Sequence, residues 1–124
     1  EDCLITDGVK FITHDGAIQV PLIKAGEQIE NVYSKKSPFG RVRIGNNVFI
    51  GVNSILLPET SIGDNSIVAA GSVVKGAFPE GIVLGGNPAK IICNVSDYFL
   101  KNESRIVSMH HCGDRGKFIS TLDL

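Results

Sequence analysis

The 124-residue sequence predicts an all-β fold in which short parallel strands stack in successive coils. Between Val42 and Gly76 an aliphatic residue returns every six positions, whereas helices and ordinary strands repeat their apolar face about every 3.6 and two residues. The segment 44–61 also aligns with the segment 62–79, which lies three hexapeptides further along the chain. Because six is a multiple of two, each hexapeptide can form one short strand and a corner, and three hexapeptides complete a triangular coil.

The repeat positions predict columns of aliphatic side chains inside the coil, namely Ile44, Ile50, Leu56, Ile62, Val68 and Val74. We expect Ile44 to lie next to Ile62, and Ile50 next to Val68, with strands about 4.8 Å apart. Small residues follow the aliphatic ones at a constant offset of four, at Ser54, Thr60, Ser66 and Ser72. A tight corner has room only for such side chains, and neighbouring Gly and Asn residues suit positive φ.

The chain before the repeat is predicted to follow the same template up to one long interruption. In "EDCLITDGVKF" Ile5 and Phe11 occupy core positions, and the chain begins in mid-repeat, so we expect earlier coils or an N-terminal cap to precede it. Residues 15–41 break the period and are interpreted as a loop inserted at a corner between coils. Long loops of this kind are usually functional.

The period slips by two residues after Val74, within "KGAFPEG", and is predicted to resume at Ile82. Ser96 is the expected N-cap of a helix over residues 97–107. The chain thus divides into a β-helix domain over residues 1–95 and a C-terminal helix and tail over residues 96–124, with no structure predicted for residues 108–124.

Composition limits the classes of partner. The 12 basic and 13 acidic residues give a net charge of -1, which argues against a general nucleic-acid or anionic-membrane surface. No apolar run approaches the roughly 18 residues of a membrane span, and no signal peptide is visible. Cys3, Cys93 and Cys112 lie far apart without a CxxC pair, which predicts reduced thiols in a cytoplasmic protein.

Three segments, "IGNNVFIG", "IGDNSIVAAGSVV" and "GGNPAKII", resemble the hexapeptide-repeat acyltransferases. The resemblance covers about residues 1–95 and is closest to the sugar, maltose, galactoside and capsular-polysaccharide O-acetyltransferases. It implies a left-handed parallel β-helix, acetyl-CoA as the acyl donor, no metal, and a homotrimer with active sites between neighbouring prisms. The handedness rests on the resemblance alone, because the general rule for crossovers favours the right-handed form.

His14 is the candidate general base. Attack by a hydroxyl on a thioester needs a group that takes the proton, and histidine is best matched to this near neutral pH. From the residues alone, a His beside an Asp in a loop is more often a solvated turn residue. In the resembled acetyltransferases, however, the catalytic His occupies this place, at the end of a coil before the extended loop. Asp15 could orient the imidazole, although sequence neighbours often point apart.

A donor site is predicted around "VAAGSV". Ala69, Ala70 and Gly71 are small enough for a groove that admits the narrow pantetheine arm, although plain corner packing explains them equally well. The resemblance implies that the amide of Val52 lies near the thioester carbonyl as an oxyanion donor, and that Ala70 makes a main-chain contact to coenzyme A.

The resemblance further implies that Lys75 and Lys90 contact pantetheine or phosphates, which need cations or N–H groups. The sequence departs from the family at three positions. Phe49 stands where galactoside-type members carry a Trp, Gly76 where a Lys often follows the Val-Val pair, and Cys93 where an Arg is common.

The sequence therefore predicts an acetyl-CoA-dependent transferase that acetylates a hydroxyl of a sugar or glycan precursor, with His14 as general base. Two alternatives stay open, a non-catalytic β-helix scaffold and an N-acetyltransferase acting on an amino sugar. A γ-class carbonic anhydrase would need three His ligands, and the repeat region holds only His14. His110, His111 and Cys112 are interpreted as part of a tail, because adjacent residues rarely share one metal.

Overall fold

The computed structural model describes residues 1–35, 37–107 and 113. Most strands in this part of the chain are two residues long, because each hexapeptide turns a corner after its strand. The strands are β1 (Leu4–Ile5), β2 (Lys10–Phe11), β3 (Arg43–Ile44), β4 (Phe49–Ile50), β5 (Ile55–Leu56), β6 (Ser61–Ile62), β7 (Ile67–Val68), β8 (Val73–Val74), β9 (Ala77–Phe78), β10 (Ile82–Gly86) and β11 (Ala89–Asn94). The α-helices are α1 (Gln19–Lys24), α2 (Ile29–Lys35) and α3 (Val95–Asn102).

Three sheets in the described part of the chain form the faces of the coil. Face A has the strand order β1-β4-β7-β10-β11, face B the order β2-β5-β8, and face C the order β3-β6-β9. All pairings are parallel except that of β10 with β11, which is antiparallel. Ile44 pairs with Ile62 and Ile50 with Val68, so the predicted stacking of residues three hexapeptides apart is confirmed.

The core consists of the predicted aliphatic columns. Ile50, Leu56, Val68 and Val74 are fully buried, and Ile62 is 2% exposed. The stacked coils therefore remove one whole side chain from water in each of the strands β4 to β8, each worth about 1.5–3 kcal/mol.

Three predicted core positions are not fully buried, since Ile44 is half-buried and Ile5 and Phe11 are exposed. Ile5 and Phe11 pair in register with Ile50 and Leu56, as the template requires. Their side chains are nevertheless 49% and 41% exposed, because β1 and β2 are the outermost strands of their sheets. The register was predicted correctly and the burial was not.

The corners are built from buried hydroxyl groups. Ser54, Thr60, Ser66 and Ser72 are each no more than 1% exposed. The Ser72 Oγ donates to the Ala69 carbonyl at 2.6 Å and the Thr60 Oγ1 to the Val74 carbonyl at 2.9 Å, so no buried hydroxyl is left unpaired in the described residues. One residue per corner has positive φ, at Asn47, Asn53, Glu59, Asn65 and Gly71.

The last coil is shorter than the others. Ile62 pairs with Phe78 and Val68 with Leu84, so each partner comes two residues earlier than a full coil would place it. Only Lys75 and Gly76 connect β8 to β9, and Gly76 makes this tight corner possible at a φ of 105°. The column therefore continues through Leu84, and the prediction that the period resumes at Ile82 was wrong by two residues.

The insertion is largely helical. Residues Gly16–Ile18 form a 3₁₀ helix that leads into α1, and α2 follows after a short turn. The two ends of the insertion are joined by backbone hydrogen bonds, from the Gly40 N–H to the Thr13 carbonyl at 2.8 Å and from the Asp15 N–H to the Pro38 carbonyl at 3.4 Å. The expected loop is thus a pair of short helices on a closed base.

Helix α3 begins earlier than predicted. Its N-cap is Asn94, whose backbone is extended and whose side chain accepts a hydrogen bond from the Asp97 N–H at 2.7 Å. Ser96 already lies within the helix, so its prediction as the N-cap was wrong. A 3₁₀ turn, Glu103–Arg105, ends the segment. None of the helices in the described ranges is long and apolar enough to cross a membrane.

Candidate functional site

The predicted site residues fall on two corners of the coil. The B–C corner joins face B to face C and comprises residues 12–42, 57–60 and 75–76 in successive coils. The A–B corner joins face A to face B and comprises residues 6–9, 51–54 and 69–72, with the β10–β11 hairpin below them. His14 and Lys75 belong to the B–C corner, and the other predicted residues belong to the A–B corner.

His14 is held at the base of the insertion. It forms an isolated antiparallel bridge with Phe39, flanked by the hydrogen bonds that close the insertion. Its imidazole is exposed and lies against the Phe39 ring, with ring centroids 5.7 Å apart and planes inclined at 33°. The backbone of this residue is therefore fixed on both sides while its ring nitrogens stay accessible.

Asp15 does not hold the His14 ring. Its Oδ1 accepts a hydrogen bond from the Ala17 N–H at 2.8 Å and so caps the 3₁₀ helix of the insertion. The structure therefore gives this carboxylate a local structural partner.

A pocket of about 310 Å³ opens beside His14. It is lined by Ile12, Asp15, Pro38, Phe39, Gly40, Leu57, Pro58, Glu59 and Lys75. His14 is not in the lining, but its neighbours Asp15 and Phe39 are. The pocket thus combines an aromatic ring, aliphatic walls, two carboxylates and one ammonium group next to an accessible imidazole.

The A–B corner presents free backbone amides. Val52 and Ala70 are exposed, and within the described residues neither N–H donates a hydrogen bond, whereas the Gly71 N–H donates to the Val52 carbonyl at 2.8 Å. A Cβ on Gly51 would lie 2.5 Å from the Ala70 nitrogen, so the two coils approach closely here because residue 51 is glycine. Two free donors one coil apart can bind carbonyl or amide oxygens of a ligand.

Lys90 lies below this pair of amides. It pairs with Gly85 in the β10–β11 hairpin, and Gly85 packs against Ala69. Gly71 and Lys90 are both exposed on this corner. The structure therefore groups Val52, Ala70, Gly71 and Lys90, which are four of the five residues predicted to bind the donor.

The two corners are separated by the width of face B. From Val52 to Leu57 the chain advances five residues, which at about 3.3 Å per residue spans at most roughly 16 Å. Lys75 lies in the pocket beside His14, away from the other predicted donor residues. Phe49 is on face A, in a second cavity with Asn47, Asn65 and Ile67.

Sequence reasoning had singled out only Asp15 and Lys75 among the lining residues of the pocket, and the most informative of those it missed are Phe39 and Glu59. Phe39 lies inside the insertion, whose return path to the coil could not be predicted. Glu59 carried a usable signal, because it stands six residues from both Asn53 and Asn65 at a corner position of positive φ, where a charged side chain is unusual. His110, His111 and Cys112 lie outside the described residues.

Residues 41–76 match the family of the bacterial transferase hexapeptide (six repeats). This is the segment that forms strands β3 to β8 and both corners of the candidate site. Residues 41–76 are therefore a hexapeptide-repeat transferase segment.

Two similar curated proteins are CapG and an N-acetyltransferase. Protein CapG of Staphylococcus aureus is 48% identical over 97 residues, which cover 78% of this chain and 52% of CapG. A 2,3,4,5-tetrahydropyridine-2,6-dicarboxylate N-acetyltransferase of Clostridium perfringens is 48% identical over 54 residues, 44% of this chain and 23% of that protein. The chain thus spans about half the length of CapG and a smaller share of the other relative.

Two solved structures share the fold. A maltose O-acetyltransferase from Clostridium difficile 630 superposes with a TM-score of 0.63 at 29% identity, over 77% of this chain and 46% of that one. A galactoside acetyltransferase in complex with coenzyme A superposes with a TM-score of 0.57 at 26% identity, over 79% and 48%. The parallel sheets and short C-terminal helix described above are therefore those of a fold shared with hexapeptide-repeat acetyltransferases, which are left-handed β-helices.

Proposed function

We propose that the protein transfers an acetyl group from acetyl-CoA to a hydroxyl of a sugar or glycan precursor. The observation that carries this proposal is the position of His14, an exposed residue whose backbone is bridged to Phe39 and whose neighbours Asp15 and Phe39 line a pocket on a hexapeptide-repeat coil. In the proposed reaction the imidazole takes the proton of the acceptor hydroxyl while the oxygen attacks the thioester carbonyl, and coenzyme A leaves as the thiol.

The donor is proposed to lie along the A–B corner. The free amides of Val52 and Ala70 are suited to the thioester oxygen and to the amide groups of pantetheine, and Gly71 leaves room for the narrow arm. Lys90 would contact a phosphate or the pantetheine, and Lys75 would do so from the B–C corner. The coenzyme A complex of the structurally similar galactoside acetyltransferase supports this choice of donor.

We propose that two copies of the chain complete one site. The base and the free amides lie on different corners, at most roughly 16 Å apart. A homotrimer of parallel prisms would bring the B–C corner of one copy near the A–B corner of the next, which suits a cyclic, heterologous interface. The acceptor pocket would then lie between neighbours, in a cytoplasmic enzyme that requires no metal.

An N-acetyltransferase acting on an amino sugar is the second candidate. The similarity to the N-acetyltransferase of Clostridium perfringens favours it, and the same imidazole could take a proton from an amine. A non-catalytic scaffold is the third hypothesis, but it gives no reason for a fixed His beside a pocket.

A binding and turnover experiment tests the proposal. We expect the protein to be retained on immobilised coenzyme A and to release free thiol from acetyl-CoA when sugars or nucleotide sugars are supplied. Products from a matched hexose and amino-hexose pair, separated by mass spectrometry, would distinguish O- from N-acetylation. No retention and no thiol release with any acceptor would leave the scaffold as the correct interpretation.

A further inference from the structure

Glu59 occupies a corner position that short side chains hold elsewhere in the coil. Its φ is 68°, and the equivalent corner residues Asn47, Asn53, Asn65 and Gly71 have φ between 53° and 68°. Asn and Gly adopt this left-handed conformation readily, whereas a longer side chain does so at a cost. The B–C corner therefore carries a strained carboxylate where a less strained residue would fit.

The base of the insertion fixes the Glu59 side chain. Gly40 packs so closely on it that a Cβ at residue 40 would lie 2.7 Å from both the Glu59 Cγ and its backbone nitrogen. Gly40 is itself held by the hydrogen bond to the Thr13 carbonyl, next to His14. The same backbone contacts thus position the proposed base and the carboxylate.

Glu59 is the carboxylate of the pocket that remains available to a ligand. Asp15 is engaged with the Ala17 N–H, whereas Glu59 has no hydrogen bond or ion pair to any of the residues that the structure describes. Among the lining residues that the structure describes, Lys75 is the one cation and stands against two acidic groups. The pocket volume of about 310 Å³ is at the low end for ligand pockets and suits one small ring, which could pack its C–H face on Phe39.

We propose that Glu59 is the specificity-determining residue of the acceptor pocket. Its carboxylate accepts hydrogen bonds from hydroxyls that neighbour the acetylated group, and it repels acceptors that carry a carboxylate or phosphate there. The acceptor is accordingly an uncharged polyhydroxylated ring, not an anionic sugar. This inference rests on the proposed function, because it assumes that acetyl transfer takes place at this pocket.

The test compares, as acceptors for the full chain, a neutral methyl hexoside that is acetylated at a ring hydroxyl and the matching methyl hexuronoside, which keeps that hydroxyl. We expect the wild-type kcat/KM to be at least about ten-fold higher for the neutral sugar. Glu59→Gln should lower kcat/KM for the neutral sugar about ten-fold, the loss of a charged hydrogen bond, and raise it for the hexuronoside. The KM for acetyl-CoA should stay within about two-fold.

Two further variants control for folding and for general charge effects. Glu59→Asn places at this corner a residue that adopts the same φ at Asn53 and Asn65, so it should fold normally and show the same loss of discrimination. Glu80→Gln removes an exposed carboxylate from the corner between β9 of face C and β10 of face A, away from the pocket. It should leave the ratio of kcat/KM values for the two sugars unchanged.

The outcomes separate this inference from the proposed function. A wild-type protein that binds no acetyl-CoA and acetylates no acceptor would overturn both. An active wild-type protein whose preference for the neutral sugar is unchanged in Glu59→Gln and Glu59→Asn would overturn the role of Glu59 alone. A loss of preference in both variants, with the Glu80 variant unaffected, is the result we expect.

Discussion

At the scale of single residues, the accessibility of His14 and the rigidity of its backbone have separate causes. The bridge to Phe39 and the two flanking hydrogen bonds fix the main chain, whereas the imidazole extends beyond this ladder into solvent. A general base has to be near its substrate and correctly directed before any tuning of its proton affinity matters. The insertion supplies this positioning at its base, where its chain leaves and rejoins the coil.

The free amides of the A–B corner also result from local backbone geometry. Gly51 allows two coils to approach closely, and the corner geometry directs the N–H groups of Val52 and Ala70 outward instead of into the ladder. A substitution Gly51→Ala would force the Ala70 backbone away, since the new Cβ would lie 2.5 Å from its nitrogen. The groove therefore depends on a glycine that does not itself touch a ligand.

Charge reversal at Lys75 and Lys90 tests the proposed donor site. Lys90→Glu should weaken coenzyme A binding about 5- to 10-fold, because a carboxylate would replace a cation where a phosphate or pantetheine contact is proposed. Lys75→Glu should act in the same direction. Isothermal titration with coenzyme A and dephospho-coenzyme A measures both effects, and a lysine that contacts the 3′-phosphate should matter less for the dephospho form.

Lys101→Glu, an exposed charge reversal on helix α3, is the control for these binding measurements. Coenzyme A affinity that stays at the wild-type value in both the Lys75 and Lys90 variants would move the donor site away from the two corners.

At the scale of elements, the stability of the coil comes from its inward columns. Leu56 is fully buried between Phe11 and Val74 in face B, whereas the adjacent Ile55 points outward and is half-buried. Leu56→Ala should lower the free energy of unfolding by about 2–5 kcal/mol, from the lost transfer energy and the cavity left behind.

Ile55→Ala is the matched control, and it should cost clearly less because its side chain already contacts water. Urea denaturation followed by circular dichroism gives both values. Equal losses in the two variants would show that the columns do not form the core.

The strands that were predicted correctly are those whose aliphatic residues recur every six positions. Aliphatic residues at six-residue spacing predict a coil of three hexapeptides, so Ile44 was expected to pair with Ile62, 18 residues later. The two-residue slip after Val74 was predicted, but the residue at which the period resumes was not, because the apolar pattern does not show that the corner at Gly76 is shortened. Helices α1 and α2 span only six and seven residues, too few to show a helical period in sequence.

The same limits apply to the site. Val52 and Ala70 are three hexapeptides apart, which is one full coil, and their common corner could be predicted. Residues 15–41 interrupt the six-residue period, so counting hexapeptides cannot relate His14 to the later coils. The corner on which His14 lies depends on where the insertion rejoins the coil. The pocket residue Phe39 could not be predicted for that reason, whereas Glu59 could have been found by its position between Asn53 and Asn65.

At the scale of the whole molecule, the separation of the two corners makes assembly part of the proposed activity. In a homotrimer with shared sites, a His14→Ala copy can still supply the A–B corner, and a Lys90→Glu copy can still supply the B–C corner. Unfolding and refolding the two variants together, with acetyl-CoA held well below its KM so that Lys90→Glu alone is about 5- to 10-fold slower, should therefore restore about a quarter of the wild-type rate, the fraction of interfaces with two intact corners in random assembly.

The variants refolded separately and then combined are the control for this experiment, and they should remain as slow as each variant alone. If the jointly refolded variants form trimers but their turnover does not recover, the base and the donor site belong to the same copy.

Thiol release by the wild-type and His14→Ala proteins, with acetyl-CoA and one active acceptor between pH 5 and 9, tests whether His14 is the general base. We expect a loss of about 10²–10⁴-fold in turnover for His14→Ala, the usual contribution of a positioned general base, with donor affinity little changed. Wild-type turnover should fall on acidification, because a protonated imidazole cannot accept the acceptor's proton. His110→Ala combined with His111→Ala should leave the rate nearly unchanged. Near-wild-type turnover by His14→Ala across this pH range would contradict the proposed mechanism while leaving the hexapeptide coil intact.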